Sequence, residues 1–581
     1  MKWAGLFALL TTFVLMLPTA LMKLERRFYE TRFPEQAARW SNNGSFSAVD
    51  TFTMAEDNYC YAAKIRQAGT EAMPGDPFIK SNRSARLAAR DTLTFWAYGL
   101  FFRGFKDISR AWIAAQTFFL LFWVPCLYLV LTAAGAGRRQ AIATAVAVTL
   151  FADLARALVL GGPLGEQLKQ AFQYSVWLLG SYHYFMGPTR VTGPVMTYPC
   201  LFGAALAFCW AAKRKDWLSV LAAGFAGGSL AFVHSDVWTV YGGAIFLYFV
   251  VEWVRSKSAD PRLVAALAAS ALPSLAWVWL NRGVTAESAL LGIEAGRKLD
   301  FGSWPFLLGA WLAYKRAGRT PMGLWLACAL ASVFIARNSS LVVGVSVDGI
   351  PNWAFIGNIL LALVAGLWIG GRKHAESERW LWAAALFCAL ALPRAVSYAA
   401  QHFPIQALPK DREAALRWLD ENTPKDSVVA ALSPMTNFTI PTHTHNGIAV
   451  AFLCPHLSDI PVEENAQRAD YLTALYGVGM DKYWAKLQEP SDWGKSLWGG
   501  VVDVEGRERG MWRGTMFCNL PEEAVGRLLA GASAGRAGKS FPVDYLWQGS
   551  FERGLMSKDK PAVPAAEVYR NASVVIYQLK K

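Results

Sequence analysis

The sequence predicts a polytopic α-helical membrane protein that ends in an extracytoplasmic α/β domain. Of its 581 residues, 54% are hydrophobic and only 17% are charged, whereas an ordinary globular chain carries about 25% charged residues. The mean hydropathy is +0.24, which is too apolar for two soluble domains of this total length. Many of the 25 tryptophans stand near the ends of apolar runs, as in the aromatic belts of membrane interfaces.

Eleven hydrophobic runs are candidates to cross a bilayer, whose hydrocarbon core of ~30 Å needs about 20 apolar residues as helix. The run at 302–314 is short. A further run at 93–102 has about half the required length, which favours an interfacial or re-entrant segment. The eleven predicted spans are 4–22, 110–134, 139–160, 192–212, 216–233, 237–254, 262–281, 302–314, 321–336, 353–371 and 380–399.

The first apolar run is interpreted as a retained anchor. A cleaved signal peptide is the alternative, since the run is apolar with Lys2 at its start. The run lacks a clean small-x-small cleavage site, and most of its flanking basic residues follow the apolar core. Removing it would not change which side any later loop faces.

Short basic loops predict the orientation of the chain. They occupy alternate connections on the side of the N-terminus, and the positive-inside rule makes that side cytoplasmic. Lys23, Arg26 and Arg27 lie on the opposite side, but they belong to the long loop 24–109, and long loops have little influence on topology. The basic loops contain Arg138 and Arg139, Lys213 to Lys215, Arg255 to Arg262, Lys315 to Arg319, and Arg372 to Arg379.

The formal net charge of +14 does not indicate a nucleic-acid partner, because the basic residues cluster in these loops. The sequence also contains no zinc-ligand spacing, P-loop or dinucleotide fingerprint. His443, His445 and His456 are interpreted as surface histidines rather than metal ligands. Membrane lipids are the expected surroundings, in a plasma or bacterial inner membrane.

The domain boundary is predicted near residue 400, with a transmembrane domain at 1–400 and an α/β domain at 401–581. An amphipathic helix is expected over 411–420, a strand over 427–432, and later buried strands over 543–547 and 573–577. No nucleophile elbow is present there. Cys454 and Cys518 either form a disulfide, if this part is extracytoplasmic, or remain two buried thiols.

Candidate functional residues recur in the loops that are predicted to lie outside. The first outer loop contains Glu56 and Asp57, two carboxylates beside an apolar segment. Asp153 and Arg156 enter the third span near its outer end; their i,i+3 spacing suits either a local ion pair or part of an outer cavity. The later outer loops supply Tyr182, His183, Arg190, His234, Asp236 and Arg337.

The acidic pair, the tyrosines that follow it and the later Gly75-Asp76-Pro77 resemble the GT-C superfamily. Members of this superfamily are multi-spanning glycosyltransferases that use polyprenyl-phosphate-linked sugars. The resemblance extends to the element 190–194 before the fourth span, the late loop with Gly344 and Trp353, and the terminal domain. In that domain the matching stretches are 543–545 and 570–577.

The resemblance implies a transferase that moves a sugar from a polyprenyl-phosphate-linked donor to a glycan, lipid or protein acceptor at the outer face. An acidic residue of the first outer loop would take the acceptor proton; Asp57 is the first choice and Glu56 the second. The base remains open, because Glu-Asp-Asn-Tyr-Cys-Tyr replaces the Asp-Glu-x-Arg-Tyr of the lipid-A-modifying members.

The other candidate residues are expected to bind the substrate. Asp153 matches the place of a second acidic residue, a metal ligand in some members, so the resemblance allows Mg²⁺ or Mn²⁺ as a cofactor. Arg156, Arg190 and Arg337 are candidate phosphate contacts, since guanidinium presents a planar fork to phosphate oxygens. Tyr182, His183, His234 and Asp236 complete the candidate substrate-binding set.

Two other functional classes compete with the transferase. A transporter or flippase for lipid-linked saccharides would also present arginines and aromatic residues, but transporters tend to show internal repeats, and the two halves of this sequence do not resemble one another. A non-catalytic assembly protein with the same scaffold is the second alternative. The sequence specifies neither the sugar, the acceptor nor the oligomeric state.

Overall fold

The computed structural model describes fourteen stretches of the chain. They are 2–32, 55–71, 75–79, 91–151, 195–214, 216–281, 294–297, 299–346, 349–369, 376–406, 410–450, 460, 462–488 and 540–580. The predicted site residues Asp153, Arg156, Tyr182, His183 and Arg190 lie outside the described residues. Cys454 and Cys518 also lie outside the described residues, so the choice between a disulfide and two free thiols stays open.

Fifteen described helices precede the C-terminal sheet. They are α1 (Lys2–Arg32), α2 (Ala55–Thr70), α3 (Thr92–Phe105), α4 (Ile108–Leu120), α5 (Trp123–Ala133), α6 (Arg138–Leu150), α7 (Thr197–Arg214), α8 (Trp217–Gly228), α9 (Ser235–Ser256), α10 (Pro261–Asn281), α11 (Trp304–Ala317), α12 (Pro321–Arg337), α13 (Ser340–Val343), α14 (Gly349–Ile369) and α15 (Arg379–Gln406).

Every predicted span overlaps one or two of these helices. Among the described residues, five segments are long and apolar enough to cross a membrane: Lys2–Leu21, Ile108–Ala133, Ser235–Ser256, Pro261–Leu280 and Pro321–Val343. Three shorter apolar helices accompany them, Trp217–Phe232, Trp353–Ile369 and Arg379–Pro393. The described chain therefore has the character of a polytopic membrane protein, and the count of eleven crossings stays a prediction.

Loops that were predicted to share the basic side contact one another at one end of the helices. The backbone N–H of Arg138 donates to Glu376 Oε1 at 2.6 Å. Arg255 Nη2 donates to the carbonyl of Gly318 at 3.3 Å, and Arg316 Nε donates to the carbonyl of Leu367 at 3.1 Å. These contacts support the predicted alternation of the connections. They do not say which compartment the basic end faces.

Small residues allow the apolar helices to approach closely, as is usual between helices in a membrane. A Cβ on Gly224 would lie 2.3 Å from the carbonyl oxygen of Ala266, so α8 and α10 touch backbone to backbone. A Cβ on Gly243 would lie 2.1 Å from Ser332 Oγ, where α9 meets α12. The second contact holds α9 against α12.

The C-terminal part is a small mixed sheet with helices around it. It contains α16 (Lys410–Asn422), β3 (Val428–Ala430), α17 (Pro434–His443), β4 (Gly447–Ile448), α18 (Val462–Leu475), α19 (Met480–Gln488), β5 (Tyr545–Gln548), α20 (Ser550–Leu555), β6 (Ala565–Arg570) and β7 (Val575–Leu579). The strand order is β4-β3-β5-β7-β6; the first three strands are parallel, and β7 is antiparallel to both β5 and β6.

The predicted helix at 411–420 and the three predicted strands all have counterparts in this part. Two strands, β4 and β6, were not predicted. A buried carboxylate supports the sheet: Glu552 accepts hydrogen bonds from the backbone N–H groups of Leu432, Ser433 and Gly549 at 2.8–2.9 Å. Asp544, in one of the stretches that carry the resemblance, accepts from the N–H of Val428 at 3.0 Å and so joins β3 to β5.

Candidate functional site

Glu56 and Asp57 lie in the first turn of α2. The positive end of a helix dipole is at its N-terminus, which favours carboxylates there. The structure describes the backbone of these two residues and the side chains of α2 from Tyr61 onward. Their catalytic role therefore stays a prediction, and the described part of α2 shows how the pair is positioned.

α2 packs on α3, the segment that the sequence assigned to an interfacial or re-entrant piece. A Cβ on Gly99 would lie 2.8 Å from the backbone nitrogen of Gly69, which shows how closely the two helices approach. Nearer the start of α2, the rings of Tyr61 and Phe95 are 6.0 Å apart. The N-terminus of α2 therefore points towards the N-terminal half of α3, where Phe95 lies.

That half of α3 is fixed to the turn before α9. Thr94 Oγ1 donates a hydrogen bond to the carbonyl of Val233 at 2.8 Å, and Thr94 is fully buried. His234 follows as the N-cap of α9, and its Nδ1 accepts from the N–H of Asp236 at 3.4 Å. The helix with the acidic pair is thus connected through α3 to the turn with His234 and Asp236.

His234 and Asp236 form a local pair in addition to the cap. Nδ1 of His234 lies 3.3 Å from Oδ2 of Asp236, and Asp236 is buried. This arrangement gives the two residues a structural role, since a capping side chain satisfies an otherwise unpaired N–H. Contact with a substrate stays a prediction.

Arg337, the third predicted site residue with a described side chain, ends α12 and pairs with Asp300. Its guanidinium carbon lies 5.9 Å from the ring centre of Phe306. The N–H of Asp300 donates to Asn338 Oδ1 at 2.9 Å, and Asn338 Nδ2 donates to Ser303 Oγ at 2.8 Å. The network holds the start of α11 against the end of α12. The positive charge of Arg337 is therefore paired with Asp300 at the end of α12.

The two loops around this network are also joined by a short antiparallel pair, β1 (Glu294–Ala295) and β2 (Val345–Ser346). The N–H of Gly296 donates to the carbonyl of Gly344 at 2.9 Å. Gly344 has a φ of +77°, a conformation that a side chain disfavours. The late loop that carries part of the resemblance is therefore connected to the loop before α11.

A cavity of about 550 Å³ opens between α9, α10 and α12. Its wall is mostly apolar, with Trp238, Leu267 and Ile335, and it includes the hydroxyls of Ser270, Ser274, Ser332 and Ser339. Trp238 Nε1 donates to Ser274 Oγ at 2.7 Å, which orients the indole at the wall. Trp238 follows the His234–Asp236 turn by half a helical turn, and Ser339 follows Arg337 by two residues. The cavity thus lies beside both predicted sites.

Sequence reasoning missed two residues in this region, Asp300 and Lys64. Asp300 stands at the end of a loop that contains several other charged residues, and nothing in the sequence distinguishes it from them. Lys64 is 1% exposed in α2, and its Nζ donates to the carbonyl of Gly75. The amphipathic pattern of α2 is weak, so nothing in the sequence marked Lys64 as buried.

The Gly75-Asp76-Pro77 element has a structural role next to Lys64. The Asp76 carboxylate accepts from the N–H groups of Phe78 at 2.8 Å and Ile79 at 2.9 Å, which closes a tight turn. Gln67 Nε2 donates to the Asp76 carbonyl at 3.4 Å. α2 and residues 75–79 therefore form one packed unit.

His456 lies outside the described residues. His443 and His445, which the sequence places at the surface, are half-buried in the structure. Both lie where α2 meets the C-terminal part: Arg66 donates to the carbonyl of His443 at 2.8 Å, and His445 Nδ1 lies 3.2 Å from Asp420. Burial, together with the charge of Arg66, lowers the pKa of His443 to about 4, so this side chain is neutral. Within the described stretches, no three His, Cys, Asp or Glu side chains are grouped to hold a metal.

No family model matches this chain, and no curated protein sequence matches it. Among solved structures, the chain is similar to the cryo-EM structure of the arabinofuranosyltransferase AftD from Mycobacteria. The identity is 13% and the TM-score is 0.42. The similar region covers 100% of this chain and 40% of that protein, so this chain spans less than half of its length.

Proposed function

We propose that the protein is a GT-C-type membrane glycosyltransferase that moves a hexosyl or pentosyl group from a polyprenyl-phosphate-linked donor to an acceptor at the outer face. One spatial relation supports the proposal. The helix that begins with Glu56 and Asp57 is packed through α3 onto the turn before α9, next to an apolar cavity among membrane-spanning helices. Transfer from a lipid phosphate requires a carboxylate as base, a positive charge beside the phosphate and an apolar cavity for the lipid chain.

The reaction is a substitution at the anomeric carbon. Asp57, with Glu56 as the alternative, takes the proton of the acceptor hydroxyl. The acceptor oxygen forms its bond to the anomeric carbon while the bond from that carbon to the phosphate oxygen breaks. The polyprenyl phosphate leaves with the electron pair of the broken bond.

Positive charge stabilises the departing phosphate. Arg337 is the described candidate, and Arg156 and Arg190 are candidates from the sequence. Asp300 keeps the guanidinium of Arg337 in place in the absence of donor. Tyr182, His183, His234 and Asp236 are proposed to bind the sugar or to shape its pocket, and Asp153 to hold the second acidic position. A divalent cation would be held by Asp153, the position that the resemblance assigns to a metal ligand, and would supply further positive charge beside the phosphate.

The cavity between α9, α10 and α12 is proposed to receive the first part of the polyprenyl chain. Its volume of about 550 Å³ falls within the range of small-molecule sites, about 300–1,000 Å³. An apolar wall with a few hydroxyls suits an isoprenoid tail that enters beside a polar head.

The test is transfer by purified protein in detergent. Polyprenyl phosphates that carry a labelled pentose or hexose are supplied with candidate glycan acceptors, and release of free polyprenyl phosphate is measured. We expect release by the native chain, a large loss in Asp57→Asn or Glu56→Gln, and no loss in the control Glu421→Gln, an exposed carboxylate on α16. Full activity in both first-loop variants contradicts the assignment of the base.

The same donor distinguishes the rivals when the protein is placed in liposomes. A flippase would move the labelled lipid between leaflets and release no polyprenyl phosphate, and an assembly protein would do neither. The predicted topology is tested with a reporter fused after Lys581. We expect an extracytoplasmic signal, and a cytoplasmic signal would move every proposed site to the opposite face.

A further inference from the structure

Arg66 connects the helix of the acidic pair to the C-terminal part. Its Nη2 donates to Asp420 Oδ1 at 2.7 Å, and its Nη1 donates to the carbonyl of His443 at 2.8 Å. The guanidinium carbon lies 5.4 Å from the ring centre of Phe102 on α3. The side chain is 15% exposed. One arginine on α2 thus contacts α3, α16 and the end of α17 together.

Asp420, which accepts the hydrogen bond from Arg66, is itself held by further contacts. Asp420 Oδ1 also accepts from the backbone N–H of His445 at 2.8 Å. Burial alone would raise the pKa of Asp420, but the hydrogen bonds from His445 and the charge of Arg66 outweigh it and lower the pKa to about 2. The carboxylate is therefore charged at any physiological pH. Its partners come from two separate parts of the chain, the first loop and the sheet domain.

A second contact joins the same two parts. The N–H of Ile448, on edge strand β4, donates to the carbonyl of Phe78 at 2.8 Å. The ring of Phe78 meets that of Phe438 edge-on, with centroids 6.3 Å apart. Because Asp76 closes the turn before Phe78 and Lys64 binds Gly75, this contact also restrains α2. The first loop is fixed to the sheet domain at two points.

We propose that Arg66 and Asp420 are a positioning pair, through which the C-terminal domain sets the place of the Glu56–Asp57 helix in the active site. The inference rests on the proposed function for its kinetic consequences. Arg66 is nine residues after Asp57, roughly 13 Å along the helix axis, so it is too far to touch the reacting atoms if Asp57 is the base. It acts by fixing the helix.

The physical reason is the sensitivity of proton transfer to distance. A displacement of about 1 Å at a reacting group can lower the rate about 100-fold. Loss of the Arg66–Asp420 pair removes one of the two attachments of α2 to the sheet domain and lets the N-terminus of the helix shift. The donor cavity is formed by α9, α10 and α12, none of which contains either residue. The turnover number should therefore fall, and the KM of the donor should change little.

The test is a charge exchange. Arg66→Asp and Asp420→Arg are each expected to lower kcat by about 10- to 100-fold. The double variant Arg66→Asp/Asp420→Arg restores the ion pair in reverse and should regain part of the loss, though not the bond to the His443 carbonyl. Arg570→Asp is the matched control, since Arg570 pairs with Glu567 on an exposed strand. It should leave kcat unchanged.

Hydrogen exchange supplies a readout that does not depend on activity. Each single variant should speed exchange of the backbone amides of α2, the double variant should slow it again, and the control should match the native chain. Arg66→Lys, which keeps the charge, covers the case in which Arg66→Asp does not fold; it should show a smaller loss of kcat. Unchanged exchange in α2, or a double variant no better than the singles, overturns the proposal.

The two proposals fail separately. If the native chain transfers no sugar from any donor, the proposed function fails, and the exchange experiment still decides whether the pair fixes α2. If transfer occurs and neither kcat nor exchange responds to the single variants, only the positioning role is lost.

Discussion

Gly69 on α2 and Gly99 on α3 face each other with no room for a side chain on either. A Cβ on Gly69 would lie 2.7 Å from Cδ1 of Phe102, and one on Gly99 would lie 2.8 Å from the nitrogen of Gly69. Arg103 strengthens the contact, because its Nε donates to the Gly69 carbonyl at 2.9 Å. This junction fixes the described part of α2 against α3.

Gly99→Leu should therefore separate α2 from α3. Overpacking of a tight contact costs about 1–3 kcal/mol, and we expect a lower thermal midpoint in detergent together with loss of transfer. Gly104→Leu is the control in the same helix, because a Cβ on Gly104 would meet nothing within 4 Å. Equal effects of the two substitutions would contradict the importance of the junction.

Arg337 and Asp300 can be separated by single substitutions. If Arg337 stabilises the leaving phosphate, Arg337→Gln should lower kcat/KM by about 10- to 100-fold, since a hydrogen bond to a charged group contributes about 1.5–3 kcal/mol. Asp300→Asn leaves the guanidinium in place and frees its charge, so transfer should be largely retained while the thermal midpoint falls. Equal loss of transfer in both variants would indicate a purely structural pair.

The cavity makes a prediction about the length of the donor lipid. Gly242 lines it, and a Cβ there would meet nothing within 4 Å. Gly242→Leu should fill part of the space and raise the KM of long-chain donors by about 10-fold, because each buried methylene of the donor contributes about 0.8 kcal/mol. A donor with a very short chain should be unaffected. Gly203→Leu, at an exposed position of α7, is the control. An equal effect of Gly242→Leu on the long-chain and the short-chain donor would exclude the cavity as the site of the lipid chain.

The lowered pKa of His443 predicts how the stability of the protein depends on pH. Its pKa is lowered to about 4 in the folded chain, below the ordinary value of about 6.5, so the unfolded chain binds its proton first. Stability is then fully present above about pH 6.5 and decreases as the pH falls towards 4. Nε2 is buried while the ring as a whole is partly exposed, so we expect a loss on the order of 1–2 kcal/mol.

Thermal unfolding between pH 4 and 7.5 measures this effect. His443→Gln should flatten the dependence in that interval, and the Arg66 contact should persist because it uses the backbone carbonyl of residue 443. Asp420 contributes below this window, since its lowered pKa of about 2 means that its stabilisation is lost only as the pH falls from about 4 towards 2. An unchanged slope in the variant would contradict the neutral state of His443.

Hydrophobic length located the helices well, because a membrane span is a local property of about 20 residues. The helix at 411–420 and the strands near 428, 545 and 575 were also predicted from local periodicity. The edge strands β4 and β6 were missed. β4 has two residues, Gly447 and Ile448, too few for a pattern, and β6 is half-exposed with Glu567 and Arg570 among its residues.

The sequence could nominate residues for the candidate site, but it could not predict their ion-pair partners. Periodicity and charge singled out Arg337, but Asp300 is 37 positions away and only packing brings them together. The same holds for Arg66, which was not singled out, and Asp420, 354 positions apart. Long-range ion pairs leave no local pattern in a sequence.

The bond between Phe78 and Ile448 has a consequence for biosynthesis. Phe78 is synthesised hundreds of residues before β4. The first loop therefore lacks its contact with β4 while the later helices are synthesised and inserted into the membrane. During that time α2 lacks both Asp420 and the edge strand. A chain interrupted before residue 448 would thus leave its acidic helix without its final support, and activity should appear only after the last segment has been synthesised and folded.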